Sequence, residues 1–326
     1  MKKNVVLYSS IPQDQQERLA QTFNLTLFDK SPDANPEAFM NVMKNAEGMI
    51  GANMATRIDE AFLAKAPNLK AASTISVGFD NYDLGALSQR KVRLMNTPTV
   101  LTEGTADLIF TLLMATARRT AELSQYIHNG QWQKGISPEY YGTDVYGKTI
   151  GIIGMGRIAK AIAKRAHCGF DMNVLYCNRS SHADVESEYK AKRCDLDELL
   201  KQSDFVVVIV PLVKETDRLI TAEKLALMKP TAILINGARG RVIDETALIQ
   251  ALQAKTIRAA GLDVYEVEPL PMDSPLLKLE NVLLSPHVGS ATVETRYAMA
   301  KCAVDNIINA LKEEKPEENW VNPEVG

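Results

Sequence analysis

Short apolar runs alternate with amphipathic stretches along almost the whole chain. Residues 5–8 read as a strand, and residues 13–23 as a helix with Pro12 near its start. Residues 25–28 read as a second strand. A helix over 36–45 puts Phe39, Val42 and Met43 on one face. Residues 48–51 are strand-like, residues 59–66 a helix closed by Pro67, and residues 70–76 and 92–95 two more strands. Strand-helix alternation of this kind implies parallel strands with helices on both faces. The pattern then continues. Residues 103–129 carry Ala106, Phe110, Leu113, Met114 and Ala117 at helical spacing, ending at Gly130, and read as one long helix or a pair. Residues 172–177, 204–210 and 232–236 read as strands, and 197–200 and 221–228 as helical. The 204–210 run is apolar after its first residue, as in a strand buried on both faces. Residues 291–311 form a last helix whose Val293, Tyr297, Ala300, Val304, Ile307 and Leu311 make one core-type stripe.

Composition narrows the class. At 326 residues the chain has room for two domains, and 46% hydrophobic with 24% charged residues is ordinary for a soluble globular protein. A net charge of −3 without a polybasic block gives no reason to expect nucleic acid or an anionic membrane as partner. No apolar run approaches the roughly 20 residues of a membrane span, and the N-terminal apolar run is too short for a signal-peptide core. Cys168, Cys177, Cys194 and Cys302 lack CxxC spacing and clustered histidines. They read as reduced cysteines of a cytoplasmic protein, with no metal site expected.

Within this frame one stretch stands out, Lys148-Thr149-Ile150-Gly151-Ile152-Ile153-Gly154-Met155-Gly156-Arg157-Ile158-Ala159, with a helical pattern from Ile158 to Ala166. An apolar strand enters a glycine turn and a helix follows, the layout of a dinucleotide-binding turn. Gly154 permits the tight turn and Gly156 a close approach of backbone to pyrophosphate. Ala159 takes the third small position. The N–H groups at the helix start, around Arg157 and Ile158, then face the phosphates. The next strand ends in Asn178-Arg179-Ser180-Ser181, where an NAD site usually offers Asp or Glu to the ribose. A guanidinium binds a 2′-phosphate that a carboxylate would repel, so the reading is NADP(H) over NAD(H). The plainer alternative leaves Arg179 as a solvated surface residue. Pro211 closes the apolar strand where an adenosine would lie.

Three polar residues then follow strand ends on one sheet edge: Arg239 in Asn236-Gly237-Ala238-Arg239-Gly240, Glu268 before Pro269, and His287 in Ser285-Pro286-His287-Val288-Gly289. Their chemistry fits reduction of a 2-oxo acid. Arginine binds a carboxylate and polarises a carbonyl, and histidine donates a proton to the oxygen. A carboxylate beside that histidine favours the imidazolium and fixes its orientation. Taken singly, each has a bland alternative as a surface, loop or turn residue. The loop Ser76-Val77-Gly78-Phe79-Asp80-Asn81 also follows a strand. By itself it reads as an ordinary strand-to-helix turn or as an anion-binding loop.

Gly154-x-Gly156, Asn236-x-x-Arg239-Gly240-x-x-Ile243-Asp244-Glu245, Leu262-Asp263-Val264-Tyr265-Glu266-x-Glu268-Pro269 and Pro286-His287-Val288-Gly289 together resemble the D-isomer-specific 2-hydroxyacid dehydrogenases over nearly the whole chain. Stretches such as Ser73-Thr74-Ile75-Ser76-Val77-Gly78 and Tyr141-Gly142-Thr143-Asp144 are most like those of the bacterial reductases of glyoxylate and hydroxypyruvate. The departures are mild. Ala159 stands for the third glycine, Ile243 for the usual valine, and Gly237-Ala238 inverts a common order.

The resemblance implies a fold of two Rossmann-like or flavodoxin-like α/β domains with parallel sheets and an active site in the interdomain cleft. Residues 1–102 and 289–326 would form the substrate domain and 103–288 the NADP-binding Rossmann domain. It implies that Arg239 holds the substrate carboxylate and carbonyl, and that His287 is the proton donor with Glu268 its partner. Val77 and Gly78 would bind the carboxylate, and Ala238 and Asp263 the nicotinamide end. It also implies a homodimer, with the segment around Trp132, Tyr140 and Tyr141 as an arm on the second subunit; the residues alone equally allow it to cover its own domain. The implied reaction is NADPH-dependent reduction of glyoxylate, hydroxypyruvate or 2-ketogluconate. Within the family, phosphoglycerate dehydrogenase is disfavoured because no regulatory domain follows residue 326, and formate dehydrogenase because Glu268 stands where it has glutamine. A dinucleotide-sensing, corepressor-like protein is the competing class; the short acidic tail after Glu313 offers no partner-binding segment for it.

Overall fold

The structure, a computed structural model, describes residues 1–52, 55–312 and 319–325; the acidic tail that begins at Glu313 lies, through residue 318, outside the described residues. The chain forms two compact units, one of Met1–Leu101 with Ser290–Gly326 and one of Thr102–Gly289.

The first unit alternates β1 (Asn4–Leu7), α1 (Gln13–Thr22), β2 (Asn24–Leu27), α2 (Pro36–Met43), β3 (Gly48–Gly51), α3 (Glu60–Lys65), β4 (Ala71–Thr74), α4 (Leu84–Gln89) and β5 (Arg93–Met95). Its sheet is parallel with order β2-β1-β3-β4-β5. Strands β3 and β4 are buried throughout, as the apolar runs require. Asp59 and Asp83 cap α3 and α4 by accepting from Phe62 N and Ala86 N, both at 3.1 Å.

The second unit opens with α5 (Thr102–Ala117) and α6 (Thr120–His128). The apolar spacing over 103–129 therefore resolves into two helices. The break is at Arg119, a non-glycine residue at φ +54°, held there by a fork onto Glu122. The unit continues with β6 (Thr149–Ile153), α7 (Arg157–Lys164), β7 (Asn173–Cys177), α8 (Ala183–Glu188), β8 (Lys192–Arg193), α9 (Leu196–Gln202), β9 (Phe205–Val208), α10 (Ala222–Ala226), β10 (Ile233–Asn236), α11 (Glu245–Gln253), β11 (Ala259–Leu262) and β12 (Val282–Leu284). Its seven strands are parallel in the order β12-β11-β10-β9-β6-β7-β8. The strand order reverses between β6 and β9. That is the switch point at which doubly wound sheets open a crevice past their strand ends. The helix after the glycine turn ends at Lys164, two residues before the expected end, and passes into a π-turn over Arg165–Gly169.

The last helix, α12 (Val293–Leu311), returns to the first unit. Its stripe is only partly core. Ala300, Val304, Ile307 and Leu311 are buried, whereas Val293 is 85% and Tyr297 42% exposed. The first turns thus carry apolar residues in water, and Tyr297 uses its hydroxyl to donate to Asp14 Oδ2 at 2.7 Å.

Close packing of α9 on the face of the central strand β6 leaves no room at Gly151. A Cβ there would stand 2.2 Å from Ser203 Oγ and 2.5 Å from Leu199 Cδ2. Gly151→Ala should therefore cost about 1–3 kcal/mol in urea unfolding. An unchanged unfolding midpoint would show that this packing is looser than described.

Candidate active site

The glycine turn sits at the switch point. Gly154 has φ +99°, and a Cβ there would stand 2.8 Å from the Ile209 carbonyl oxygen beyond β9. Left-handed backbone pressed against a neighbouring main chain admits only glycine. The Gly154 N–H donates to Cys177 O at 2.8 Å, tying the turn to the end of β7. Gly156, the residue before α7, is exposed, and a Cβ on it would meet nothing within 4 Å. No side chain caps α7. Open space over a glycine at a helix start suits the pyrophosphate of a dinucleotide. Ala159 is 1% exposed and fills the third small position, with Arg157 exposed and Ile158 half-buried beside it.

The β7 end carries no carboxylate. Asn178 Nδ2 donates to Ser180 O at 3.2 Å and lies 3.0 Å from His182 Nε2. Arg179 and Ser180 are exposed. Arg193 on β8 donates to Asn178 O and Arg179 O, a contact that sequence reasoning missed because a two-residue edge strand has no periodicity to read. Pro211, past the end of β9, accepts from Thr216 Oγ1 at 2.6 Å.

Three loops converge at the ends of β10, β11 and β12. In the first, the Asn236 side chain bends back, accepting from Ala238 N and donating to Arg239 O, both at 3.1 Å, so the loop that carries Arg239 is closed on its own strand. Gly237 leaves no room for a Cβ, which would fall 1.8 Å from Ile109 Cδ1. At Gly240 a Cβ would lie 1.8 Å from the Tyr265 carbonyl carbon, so glycine lets the β10 loop touch the β11 loop directly. Arg239 Nη1 donates to Ala238 O at 2.8 Å.

The β11 and β12 loops are joined by Asp263. Only 2% exposed, its carboxylate accepts from Ser285 Oγ (2.7 Å), Val288 N (2.9 Å) and Gly289 N (2.9 Å). These donors flank His287, which sits at φ +52°. The buried Tyr265 hydroxyl donates to Ser285 O at 2.9 Å and accepts from Ser285 N at 3.0 Å. Both contacts went unread in the sequence. The available signal was a tyrosine in an apolar strand-end motif, since a buried hydroxyl needs partners. Asp244, too, has a local role, accepting from Ala247 N as the cap of α11.

His287 Nδ1 and Glu268 Oε2 are 2.6 Å apart, with the two side chains 48% and 34% exposed. Glu268 Oε1 accepts from Tyr265 N at 3.0 Å, so both carboxylate oxygens are held. Burial pushes this carboxyl up. The hydrogen bonds from His287 and Tyr265 and the charges of His287 and Arg239 outweigh burial, and the group titrates below the ordinary glutamate range. With Nδ1 on the carboxylate, Nε2 is the ring nitrogen left for chemistry.

Val77 and Gly78 belong to the first unit, in the loop after β4. Asn96 Nδ2 donates to Val77 O at 2.8 Å and Ser76 Oγ to Gly78 O at 2.6 Å. Both carbonyls of this loop are thus held by side chains.

Residues 110–289 match the family described as D-isomer specific 2-hydroxyacid dehydrogenase, NAD binding domain. The whole chain is 55% identical to a protein of Yersinia pestis (strain Pestoides F) named glyoxylate/hydroxypyruvate reductase B, covering 99% of it. Among solved structures, the TT0316 protein of Thermus thermophilus is 38% identical with a TM-score of 0.88, over 98% of this chain and 99% of that one. An NADPH-dependent glyoxylate/hydroxypyruvate reductase of Sinorhizobium meliloti, in complex with NADP and malonate, is 30% identical with a TM-score of 0.86, over 98% and 97% of the two chains.

A lowered Glu268 carboxyl carries a stability consequence of definite sign. Its contribution is present above the ordinary glutamate range and is lost as pH falls through the depressed folded value. The stability gap between wild type and Glu268→Gln in urea titrations should therefore narrow as pH drops below about 4. A gap that stays constant over that range would mean the carboxylate is not held by its partners.

Proposed function

The chain belongs to the D-isomer specific 2-hydroxyacid dehydrogenase family, and on that premise we propose that it reduces small 2-oxo acids, with NADPH preferred over NADH. Glyoxylate and hydroxypyruvate are the first substrates in this reading, giving glycolate and D-glycerate, and 2-keto-D-gluconate is a third. The observation that carries it is the Glu268–His287 pair at 2.6 Å, in a loop cluster that also presents Arg239. The names of its relatives support the substrate class.

When bound, the reduced nicotinamide supplies a hydride to the substrate carbonyl carbon. The protein's part is placement and proton supply. Arg239 binds the carboxylate and polarises the carbonyl. His287 donates its Nε2 proton to the carbonyl oxygen as charge develops there. Glu268 accepts from Nδ1, fixing ring and tautomer and stabilising the imidazolium. Val77 and Gly78 extend the carboxylate site. Ala238 and Asp263 meet the nicotinamide end, and Pro211 the adenosine. Asn178, Arg179 and Ser180 support NADPH, because they offer a guanidinium and two neutral donors where a ribose-binding carboxylate would repel phosphate.

The same reading makes the protein a cytoplasmic homodimer. Among the described residues no helix is long and apolar enough to cross a membrane, and the four cysteines are free thiols. Trp132 and Tyr141 are 61% and 58% exposed. Their segment is fastened to its own unit by Arg258 Nη2 on Tyr141 O at 2.8 Å and Thr143 N on Ala117 O at 2.8 Å, so it presents aromatics from a held backbone.

His287→Ala should lower the rate of glyoxylate and hydroxypyruvate reduction by roughly 10²–10⁴-fold while leaving NADPH affinity unchanged. A variant that keeps a near wild-type rate would remove His287 as proton donor. Failure of the wild type to oxidise NADPH or NADH with any of the three acids would remove the reaction class.

A further inference from the structure

Arg193 has no role in the function proposed above. Strand β8 is only two residues long and lies at the sheet edge, paired to β7 with Leu175 opposite Lys192 and Tyr176 opposite Arg193. That register sets Arg193 beside the end of β7, just before Asn178. From there its guanidinium donates Nε to Asn178 O at 3.1 Å and Nη2 to Arg179 O at 2.9 Å. Two donors of one planar fork hold two successive carbonyls, a geometry the single ammonium of lysine does not reproduce. The peptides so held are those of the two residues read as 2′-phosphate contacts.

The surrounding charge points the same way. Neither Arg179 nor Arg193 has an ion-pair partner among the described residues. The carboxylates nearby in sequence are engaged elsewhere. Asp184 pairs with Lys160, Glu186 accepts from the Tyr176 hydroxyl, and Asp195 caps α9 on Glu198 N at 2.8 Å. The loop thus carries two guanidinium groups that form no ion pair with these carboxylates. A phosphate monoester brings about −1.5 to −2 charges at neutral pH. A diol in its place brings none, so this field acts on one cofactor and not on the other.

We propose that Arg193 is a specificity-determining positioning residue, whose fork fixes the Asn178–Arg179 backbone and presents Arg179 to the 2′-phosphate of NADPH. The proposal rests on the NADPH preference proposed above. Arg193 acts through the loop, so its loss weakens recognition of the phosphate and leaves the rest of the dinucleotide site intact.

The test is equilibrium binding by isothermal titration calorimetry at fixed ionic strength, with NADPH, NADH, 2′,5′-ADP and ADP as titrants. The proteins are the wild type, Arg193→Ala, Arg193→Lys, Arg179→Ala and the Arg179→Ala/Arg193→Ala double variant. The wild type should bind 2′,5′-ADP more tightly than ADP. Arg193→Ala should weaken NADPH and 2′,5′-ADP by roughly 10-fold, the scale of one charge-assisted hydrogen bond, with NADH and ADP changed less than about twofold. Arg193→Lys should recover only part of the loss. In the Arg179→Ala background the further loss should nearly vanish, because the two residues act on one contact. A wild type that does not discriminate 2′,5′-ADP from ADP would overturn the NADPH reading and this proposal with it. Discrimination undiminished in Arg193→Ala would overturn the proposal alone. So would equal weakening of NADPH and NADH, which marks a general structural role, or full recovery in Arg193→Lys, which marks charge without positioning.

Discussion

The site depends on a buried carboxylate that is not itself a proton donor. Asp263 leaves β11 almost wholly out of water and accepts three hydrogen bonds, from Ser285 Oγ and from the N–H groups of Val288 and Gly289. A buried carboxylate is tolerable only when its lone pairs are satisfied, and truncating any donor would leave part of it exposed to that cost. The arrangement therefore admits one conformation of the β12 loop. That conformation carries His287 at φ +52°, in the left-handed region that L-residues adopt uncommonly. Tyr265 reinforces it from the same strand end, with its hydroxyl on Ser285 and its N–H on Glu268. The Gly240 contact with the Tyr265 peptide brings the Arg239 loop against this assembly. Three separate loops thus become one rigid group.

Electrostatics follows from that geometry. Glu268 is held at both oxygens and kept charged by its neighbours in spite of burial. A charged carboxylate on Nδ1 fixes the orientation of the ring and leaves Nε2 as the nitrogen free to face a substrate. The glycine turn works by a different means, since its contribution is the space over Gly156 and the helix start behind it. In the proposed function, binding and proton supply fall to different strand ends of one parallel sheet.

Much of this was legible in the sequence because it follows from period and from backbone necessity. Parallel strands showed in the apolar runs of β3, β4 and β9. Gly154 was readable because a tight strand-to-helix turn requires a residue without Cβ. Arg239, Glu268 and His287 were readable because each follows a strand end. What the sequence did not disclose are contacts made at a distance along the chain. The stripe on α12 looked uniform, yet Val293 and Tyr297 stand in water, because a helical period says which face is apolar and not how far the covering sheet extends. Asp263 was read as a cofactor contact, and its grip on the His287 loop spans more than twenty residues of sequence. Arg193 was invisible for the same reason. Its value lies in two carbonyls that only the β7–β8 register brings near.

The central claim is that Glu268, held in place, sets His287 as the acid. It is tested most directly by the single-turnover rate of hydroxypyruvate reduction at saturating NADPH, in the wild type and in Glu268→Gln. The account predicts a rate in Glu268→Gln lower by roughly 10-fold or more, with NADPH affinity unchanged. Equal single-turnover rates in the two proteins would contradict it.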